Sequence, residues 1–173
     1  MIDKEKCIRC GKCIHSCPFG AIASKTFIVP VIEALKAGKH IYAMAAPATE
    51  GQFGVDITMA SWKKAMKEMG FTDFYDVGLG GDMTAAYEAE EWAEAYKEGN
   101  KKVTSCCPAF VNMVRLHYPE LAECVSTTVS PMCAVSRLIK AKDPEAITVF
   151  IGPCVAKKSE VQIRRSREMQ IMY

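Results

Sequence analysis

Thr104-Ser105-Cys106-Cys107-Pro108-Ala109-Phe110 sets two adjacent cysteines between a strand-like run and a helix-like run. Val103-Thr104-Ser105 is typical of the end of a short strand, and Pro108 suits the first position of a helix. We therefore expect Cys106 and Cys107 at a helix N-terminus, whose partial positive charge favours thiolate over thiol. Thiolate is the form that binds metal or attacks an electrophile. The alternative is that both cysteines are small buried apolar residues.

Composition narrows the class of protein further. The 173 residues are 50% hydrophobic and 24% charged, with a net charge of +2, which is typical of one globular domain with a small appendage. This charge argues against nucleic acid or a membrane surface as a partner. The apolar run Ile41–Pro47 is far too short to span a bilayer, and Met1-Ile2-Asp3-Lys4 lacks the apolar region of a signal peptide. We predict a cytoplasmic protein, where reducing conditions make the nine cysteines candidates for metal binding rather than disulfides.

The N-terminus carries a second cysteine motif, Cys7-x2-Cys10-x2-Cys13-x3-Cys17-Pro18. This is the spacing of bacterial ferredoxins, whose thiolates hold a 4Fe-4S cluster. Zinc is the alternative, although zinc ribbons usually separate two cysteine pairs by a long spacer. In two-cluster ferredoxins the fourth cysteine binds the other cluster. Since the sequence has no second set of this spacing, we expect a partial ferredoxin-like segment whose upstream half is missing.

From about residue 30 the sequence alternates between strand-like and helix-like runs, which predicts an α/β fold with a parallel sheet. Strands are predicted at Ile41–Ala46, Phe74–Val77, Val103–Ser105, Val125–Thr127 and Ile147–Ile151. Helices are predicted at Pro30–Lys36, Met59–Met69, Pro108–His117 and Pro131–Lys142, with a further helix that Asp82 caps after the turn Gly78–Gly81 and that ends at Gly99. We divide the chain into a partial ferredoxin-like α+β segment at 1–28 and a parallel-sheet lobe at 29–173.

Four unusual stretches follow predicted strands: Ala46-Pro47, Gly78–Gly81, Cys106-Cys107 and Gly152-Pro153-Cys154. The functional crevice of a parallel sheet lies at the carboxyl ends of its strands. The four stretches are therefore expected to form one site. A phosphate-binding turn at Gly78–Gly81 is the alternative for that stretch, but the spacing of a nucleotide-binding motif is absent.

Two long motifs carry a resemblance to a known family. Thr104-Ser105-Cys106-Cys107-Pro108 and Gly152-Pro153-Cys154-Val155-Ala156-Lys157-Lys158-Ser159-Glu160 resemble the first two signature motifs of the large subunit of FeFe-hydrogenases. Ala46-Pro47-Ala48, Gly81-Asp82-Met83-Thr84 and Ser130-Pro131-Met132 fall where that family has similar segments. The resemblance implies the parallel-sheet lobe of a hydrogenase catalytic domain and an oxidoreductase that interconverts dihydrogen with protons and electrons.

The resemblance also implies a cofactor and its ligands. The H-cluster of this family is a 4Fe-4S cubane joined to a di-iron unit with carbon monoxide, cyanide and dithiolate ligands. By similarity Cys107 and Cys154 bind the cubane, and Cys106 passes protons. Lys157 donates a hydrogen bond to a cyanide, while the backbone at Ala46 and Pro47 approaches the other diatomic ligand.

Protons and electrons need routes to such a cluster. Glu88 and Glu91 are three apart on one predicted helix face, and the family relays protons through two glutamates in a corresponding segment. Surface glutamates at this spacing are common, which leaves an ordinary solvated pair as the alternative. Electrons are expected to arrive through the N-terminal cluster from a ferredoxin or another redox protein, and hydrogenase maturation proteins are expected to supply the di-iron unit.

The sequence departs from the family pattern in two places. The third motif, with two further cysteine ligands, does not occur, so these residues alone cannot complete a four-thiolate cubane, and Gly152 stands where many relatives have methionine. We therefore expect a fragment truncated at both ends. The alternative is a hydrogenase-derived iron-sulfur carrier, sensor or assembly protein without hydrogen chemistry; Cys106 and Lys157 favour the enzyme, since neither is needed to hold a cubane. A thiol-redox pair Cys106-Cys107 is disfavoured because adjacent cysteines form a strained disulfide.

Overall fold

The fold is a parallel sheet with helices on both faces. The structure, a computed structural model, describes residues 2–3, 5–162 and 171–172. Its strands are β1 (Ile41–Ala45), β2 (Asp73–Asp76), β3 (Ile147–Ile151) and β4 (Ile171–Met172). The strand order is β2-β1-β3-β4, and every neighbouring pair is parallel. The parallel α/β prediction is therefore confirmed.

Helices occupy most of the intervals between strands. They are α1 (Lys12–Ser16), α2 (Ile28–Lys36), α3 (Met59–Glu68), α4 (Gly78–Lys97), α5 (Pro108–His117), α6 (Pro131–Lys142) and α7 (Lys157–Gln162). Proline begins α5 and α6, where its missing N–H costs nothing. Thr58 caps α3, because its hydroxyl accepts a hydrogen bond from Ser61 N at 3.4 Å. Short 3₁₀ turns lie at Pro47–Thr49 and Pro119–Cys124.

The side chains of β1 and β3 are divided between two cores, because successive residues of a strand point to opposite faces. One face of β1 and β3 packs on α2 and α3 through a cluster that includes Ile41, Ala43, Ile147 and Met66. The opposite face packs on α6 through a second cluster that includes Met44, Phe150, Val135 and Ile139. Burial on both faces explains why β1 and β3 are almost continuously apolar.

Helices α4 and α6 approach each other closely at Gly80. A Cβ atom at this glycine would lie 2.2 Å from the carbonyl oxygen of Pro131 and 2.8 Å from Cγ2 of Val135. Thr84, one turn along α4, donates a hydrogen bond to the carbonyl oxygen of Val129 at 3.2 Å. The glycine therefore sets the distance at which α4 lies against the segment leading into α6.

Two of the predicted strands are wrong. Val103–Ser105 and Val125–Thr127 do not join the sheet; they share one isolated parallel bridge between Val103 and Val125. Ser126 N donates to the carbonyl oxygen of Val103 at 2.8 Å, and the pairing stops there. Three residues of β-like composition carry no signal that separates a strand from a single bridge.

The predicted start of α4 is also wrong. The helix begins at Gly78 rather than after Asp82, so the glycine-rich stretch is its first turn. Asp76, at the end of β2, takes the capping role, because its Oδ1 accepts a hydrogen bond from Gly78 N at 2.8 Å. Asp82 instead lies inside the helix.

The described part of residues 1–28 contains the short helix α1 and the first residue of α2. The proposed domain boundary between residues 28 and 29 stays a prediction, and residues 163–170 and 173 of the second predicted domain lie outside the described residues. Among the residues that the structure describes, no helix combines the length and the apolar character that crossing a bilayer requires.

We predict that Gly80→Ala destabilises the fold by about 1–3 kcal/mol, because the new methyl group must displace the Pro131 carbonyl or the Val135 side chain. Gly81→Ala is the matched control, since a Cβ at Gly81 meets no heavy atom within 4 Å and alanine favours a helix by up to about 1 kcal/mol. Urea unfolding followed by circular dichroism measures both free energies. Equal stability of the two variants would contradict the close contact between α4 and Pro131.

Candidate functional site

The carboxyl ends of the central strands β1 and β3 lie side by side. Ala46 follows β1, and its N–H donates to the carbonyl oxygen of Ile151 at 2.8 Å. A Cβ atom at Gly152, which follows β3, would lie 3.0 Å from Cβ of Ala46. Two of the stretches singled out in the sequence, Ala46-Pro47 and Gly152–Cys154, are therefore neighbours at one edge of the sheet, as the parallel arrangement predicts.

Gly152 has no room for a side chain. A Cβ there would lie 2.7 Å from Cε1 and 2.9 Å from Cζ of Phe150, and Phe150 is almost completely buried. The space that a longer residue at this position would need is already filled by the phenyl ring. The Phe150 ring therefore occupies the space that a methionine, which the family resemblance led us to expect at position 152, would need.

The two cysteines of the Cys106-Cys107 pair are exposed and lie on a loop outside the sheet. Cys107 is the residue before α5, and its carbonyl oxygen accepts the first hydrogen bond of that helix from Val111 N at 3.1 Å. The expected position at a helix N-terminus is confirmed, and the alternative that both cysteines are buried apolar residues is wrong.

Lys157 joins the two cysteine motifs. Its N–H donates to the carbonyl oxygen of Cys154 at 3.3 Å, which places the lysine one turn beyond that cysteine. Its ammonium group donates to the carbonyl oxygen of Cys106 at 3.3 Å. The half-buried Cys154 and the Cys106-Cys107 loop, which are about fifty residues apart in the sequence, therefore lie against each other through one cation.

Glu88 fixes the loop that carries the cysteine pair. Its carboxylate accepts hydrogen bonds from Thr104 Oγ1 at 2.8 Å, from Ser105 N at 3.0 Å and from Thr128 Oγ1 at 3.0 Å. Burial opposes ionisation of this carboxyl, but the donors from Ser105, Thr104 and Thr128 outweigh it and hold the pKa of Glu88 below its ordinary value. At neutral pH the group is an anion surrounded by donors.

Glu91 binds the same polar segment from the next turn of α4. It accepts hydrogen bonds from Thr127 N at 3.2 Å and from the Thr127 hydroxyl. Burial raises the pKa of Glu91, yet hydrogen bonds from Thr127 and Ser126, together with the charge of Lys102, bring it below the ordinary value.

The hydroxyl groups that bind the two glutamates come from one short segment. Thr127 donates to Glu91, the adjacent Thr128 donates to Glu88, and Ser126 Oγ lies 2.9 Å from Thr128 Oγ1. Sequence reasoning missed these hydroxyls. The run Ser126-Thr127-Thr128 directly after Val125 was the signal, because three successive hydroxyl groups suit a polar contact better than a strand interior.

The N-terminal motif forms a loop with features that suit cluster ligands. Cys7 Sγ accepts a hydrogen bond from Arg9 N at 3.4 Å, and Cys17 Sγ accepts one from Ala21 N at 3.3 Å. Arg9 and Gly11 have φ values of 63° and 78°, so the loop curls with its amide groups directed towards the sulfur atoms. N–H groups of Ala21 and Phe19 lower the pKa of Cys17 from its ordinary value, against a small opposing effect of burial.

The donor set fits an iron-sulfur cluster better than a single metal ion. Thiolates that accept backbone N–H bonds are the usual ligands of such clusters. Within the described residues, no three His, Cys, Asp or Glu side chains converge on a point that one metal ion could occupy. Each thiolate of a cubane binds a different iron atom, so the ligands of a cluster need not converge in this way.

Comparison with known protein families gives two matches. Residues 39–171 match the iron-only hydrogenase large subunit, C-terminal domain, and residues 1–23 match a 4Fe-4S binding domain. The first match covers more than half of the chain, and it contains both the Cys106-Cys107 motif and the motif that begins at Gly152. The second contains the complete N-terminal cysteine motif.

Three curated relatives agree with these matches. The chain is 34% identical to the periplasmic Fe hydrogenase large subunit of Nitratidesulfovibrio vulgaris, over 92% of this chain and 50% of the relative. It is 32% identical to iron hydrogenase 1 of Clostridium pasteurianum, over 83% and 28%. It is 28% identical to the NADP-reducing hydrogenase subunit HndD of Solidesulfovibrio fructosivorans, over 89% and 30%.

The chain thus spans half or less of the length of each of these relatives. Their agreement with the domain match, and the joining of the two cysteine motifs through Lys157, lead to one assignment. This chain belongs to the iron-only hydrogenase large subunit family of oxidoreductases, and its N-terminal segment is a 4Fe-4S binding domain.

Proposed function

We propose that the chain forms part of a hydrogenase that interconverts dihydrogen with protons and electrons. The observation that carries the proposal is the hydrogen bond from the Lys157 ammonium to the carbonyl oxygen of Cys106. This bond supports the proposal because it links the loop of the candidate ligand Cys107 and the thiol of Cys106 to the segment that follows the candidate ligand Cys154. A site that only holds a cubane needs neither the cation nor the free thiol.

Cys107 and Cys154 are the proposed ligands of the active-site cubane. When bound, the H-cluster supplies the low-valent iron on which dihydrogen is made or split. The Lys157 ammonium stabilises negative charge beside those ligands, as a charged donor does for an anionic group in a partly buried pocket. Backbone at Ala46 and Pro47 closes the same edge of the sheet.

Protons are proposed to enter by way of α4. A cleft of about 620 Å³ opens beside this helix and is lined by Glu90, Glu91 and Glu94 among others. Glu91 binds Thr127 and Glu88 binds the adjacent Thr128, so both carboxylates contact one polar segment, and Glu88 also binds the loop that carries Cys106. A thiol that is not a ligand can give up and recover a proton, which is the task of a general acid and base.

Electrons are proposed to arrive through the N-terminal 4Fe-4S site, whose candidate ligands are in the motif Cys7, Cys10, Cys13 and Cys17, from a ferredoxin or another redox protein. Insertion of the di-iron unit would require hydrogenase maturation proteins. A cytoplasmic location is part of the proposal only. One relative is named as a periplasmic protein.

A second candidate function is an iron-sulfur carrier or sensor. In this function Cys107 and Cys154 would hold a cubane that carries electrons without hydrogen chemistry. Two further thiolates from outside the 173 residues would complete the active-site cluster.

Infrared spectroscopy tests the two candidates against each other. The chain is joined to a segment that supplies the two thiolates and is expressed together with maturation proteins. Carbon monoxide and cyanide on iron give bands in a region free of protein absorption, and we expect these bands to appear. Iron-sulfur absorption without them would favour the carrier.

We predict that the 173-residue chain takes up iron and sulfide under anaerobic conditions and that Cys10→Ala lowers the iron bound at the N-terminal site to near zero, because a cubane loses one of its thiolates. Cys124→Ala is the matched control, since Cys124 belongs to neither cysteine motif. Iron analysis and visible absorption measure the content. Full retention of iron in Cys10→Ala and in the corresponding Cys7 variant would contradict the assignment of ligands.

We predict that Glu88→Gln lowers the free energy of unfolding by about 1–3 kcal/mol at pH 7, because an anion that accepts several hydrogen bonds becomes neutral. The folded-state pKa of Glu88 is below the ordinary value of 4.5. Its contribution is therefore complete above pH 4.5 and disappears as the pH falls through the folded-state pKa.

Urea unfolding of wild type and Glu88→Gln between pH 7 and pH 3 measures this dependence. The exposed Glu90→Gln, on the same helix, is the matched control and is expected to have little effect at either pH. A constant difference between wild type and Glu88→Gln across the whole range would show that the carboxylate charge does not hold the loop.

A further inference from the structure

Lys158 binds the N-terminal segment although it stands next to Lys157. Its ammonium group donates to the carbonyl oxygen of Lys25 at 2.6 Å and to the hydroxyl of Ser24. Both partners precede it by more than 130 residues. The structure gives the two neighbouring ammonium groups different partners: the cysteine loop for Lys157 and the ferredoxin-like segment for Lys158.

Gly11 touches the residue that follows Cys154. A Cβ atom at Gly11 would lie 2.1 Å from Cγ2 of Val155, so only a glycine permits this approach. Gly11 stands between Cys10 and Cys13, and it adopts the left-handed φ of 78° that glycine tolerates best. The loop of the N-terminal motif therefore packs directly on the second hydrogenase motif.

Helix α5 supplies the third contact. Asn112 Nδ2 donates to the carbonyl oxygen of Ile8 at 3.3 Å, and His117 Nε2 lies 3.1 Å from the carbonyl oxygen of Lys6. Ile8 and Lys6 are the two neighbours of Cys7 in the sequence. The helix that begins immediately after Cys107 thus holds the backbone on both sides of an N-terminal ligand.

We propose that these contacts form a docking seam, defined here as Lys158, Asn112, His117 and the Gly11–Val155 contact, which fixes the N-terminal cluster site against the Cys107 and Cys154 site. Lys158 is a positioning residue in this seam. Electron transfer weakens steeply with distance, and a site held from several directions keeps its geometry. The proposal rests on the proposed function, because it assigns the seam to electron transfer between the two clusters.

Hydrogen exchange of the 173-residue chain without clusters tests the seam itself. We expect Lys158→Met to speed amide exchange in residues 5–28 about tenfold or more, since it removes charge-assisted hydrogen bonds while keeping the length of the side chain. Exchange in β3 should not change, which shows that the variant is folded. Lys158→Arg should restore protection in part, and Lys97→Met, exposed at the end of α4, is the matched control.

A second variant keeps the test independent of Lys158. Asn112→Ala is expected to speed exchange around Ile8 while the sheet remains protected. If Lys158→Met and Asn112→Ala both leave residues 5–28 as protected as in the wild type, the seam does not hold the segment and the proposal is overturned.

The spectroscopic arm addresses electron transfer and separates this proposal from the proposed function. With both clusters loaded in the polypeptide that carries the two additional thiolates, the wild type should show magnetic broadening of the N-terminal cluster signal by the second cluster. Lys158→Met should reduce this broadening at unchanged iron content, and Lys158→Arg should restore it. Unchanged broadening overturns the positioning role. Failure of the wild type to bind clusters would instead overturn the proposed function, while hydrogen exchange would still report whether the seam exists.

Discussion

The hydrogen bonds accepted by the ionised carboxylate of Glu88 are the interaction on which the site depends most. The Cys106-Cys107 loop is not a continuation of the sheet, since Val103 before it pairs with Val125 in an isolated bridge and does not join a described strand. A loop without a strand beneath it needs other partners for its backbone. Glu88 supplies them by accepting from Ser105 N and from the hydroxyls of Thr104 and Thr128. The helix α4 therefore holds in place a cysteine pair that the sheet does not reach.

This anchoring role constrains how Glu88 can take part in proton transfer. A relay group must bind a proton for some part of the cycle. Protonation would remove the charge to which Thr104, Ser105 and Thr128 donate, and it would weaken the support of the loop that carries Cys106. The lowered pKa of Glu88 has the same origin, because the donors that hold the loop also favour the anion. In the proposed relay a proton on Glu88 would therefore be a short-lived state, held next to the hydroxyl groups of Thr128 and Ser126.

The sequence predicted the central strands β1 and β3 well because their signals are local. Ile41–Ala45 and Ile147–Ile151 are nearly continuous apolar runs, and burial of both faces requires such composition. The start of α5 at Pro108 was likewise visible in the chain itself. Contacts between residues far apart in the sequence have no local sequence pattern of this kind. Glu88 meets Thr128 across 40 residues and Lys158 meets Ser24 across 134, and no pattern in either segment identifies its partner. The Phe150 ring that occupies the space beside Gly152 belongs to the same class, since it depends on a side-chain direction that the sequence does not encode locally.

Helix α7 contacts both the Cys106-Cys107 loop and the N-terminal segment, through Lys157 and Lys158 respectively. It begins three residues after Cys154, and successive side chains on a helix point about 100° apart. Lys157 and Lys158 therefore cannot share a partner, and one reaches the Cys106 carbonyl while the other reaches the ferredoxin-like segment. A shift of α7 would alter both contacts together, along with the position of Val155 against Gly11. A displacement of the segment around Cys154 would therefore also alter its contacts with the N-terminal cysteine motif, and in the proposed function this six-residue helix would help to fix the separation of the two cluster sites.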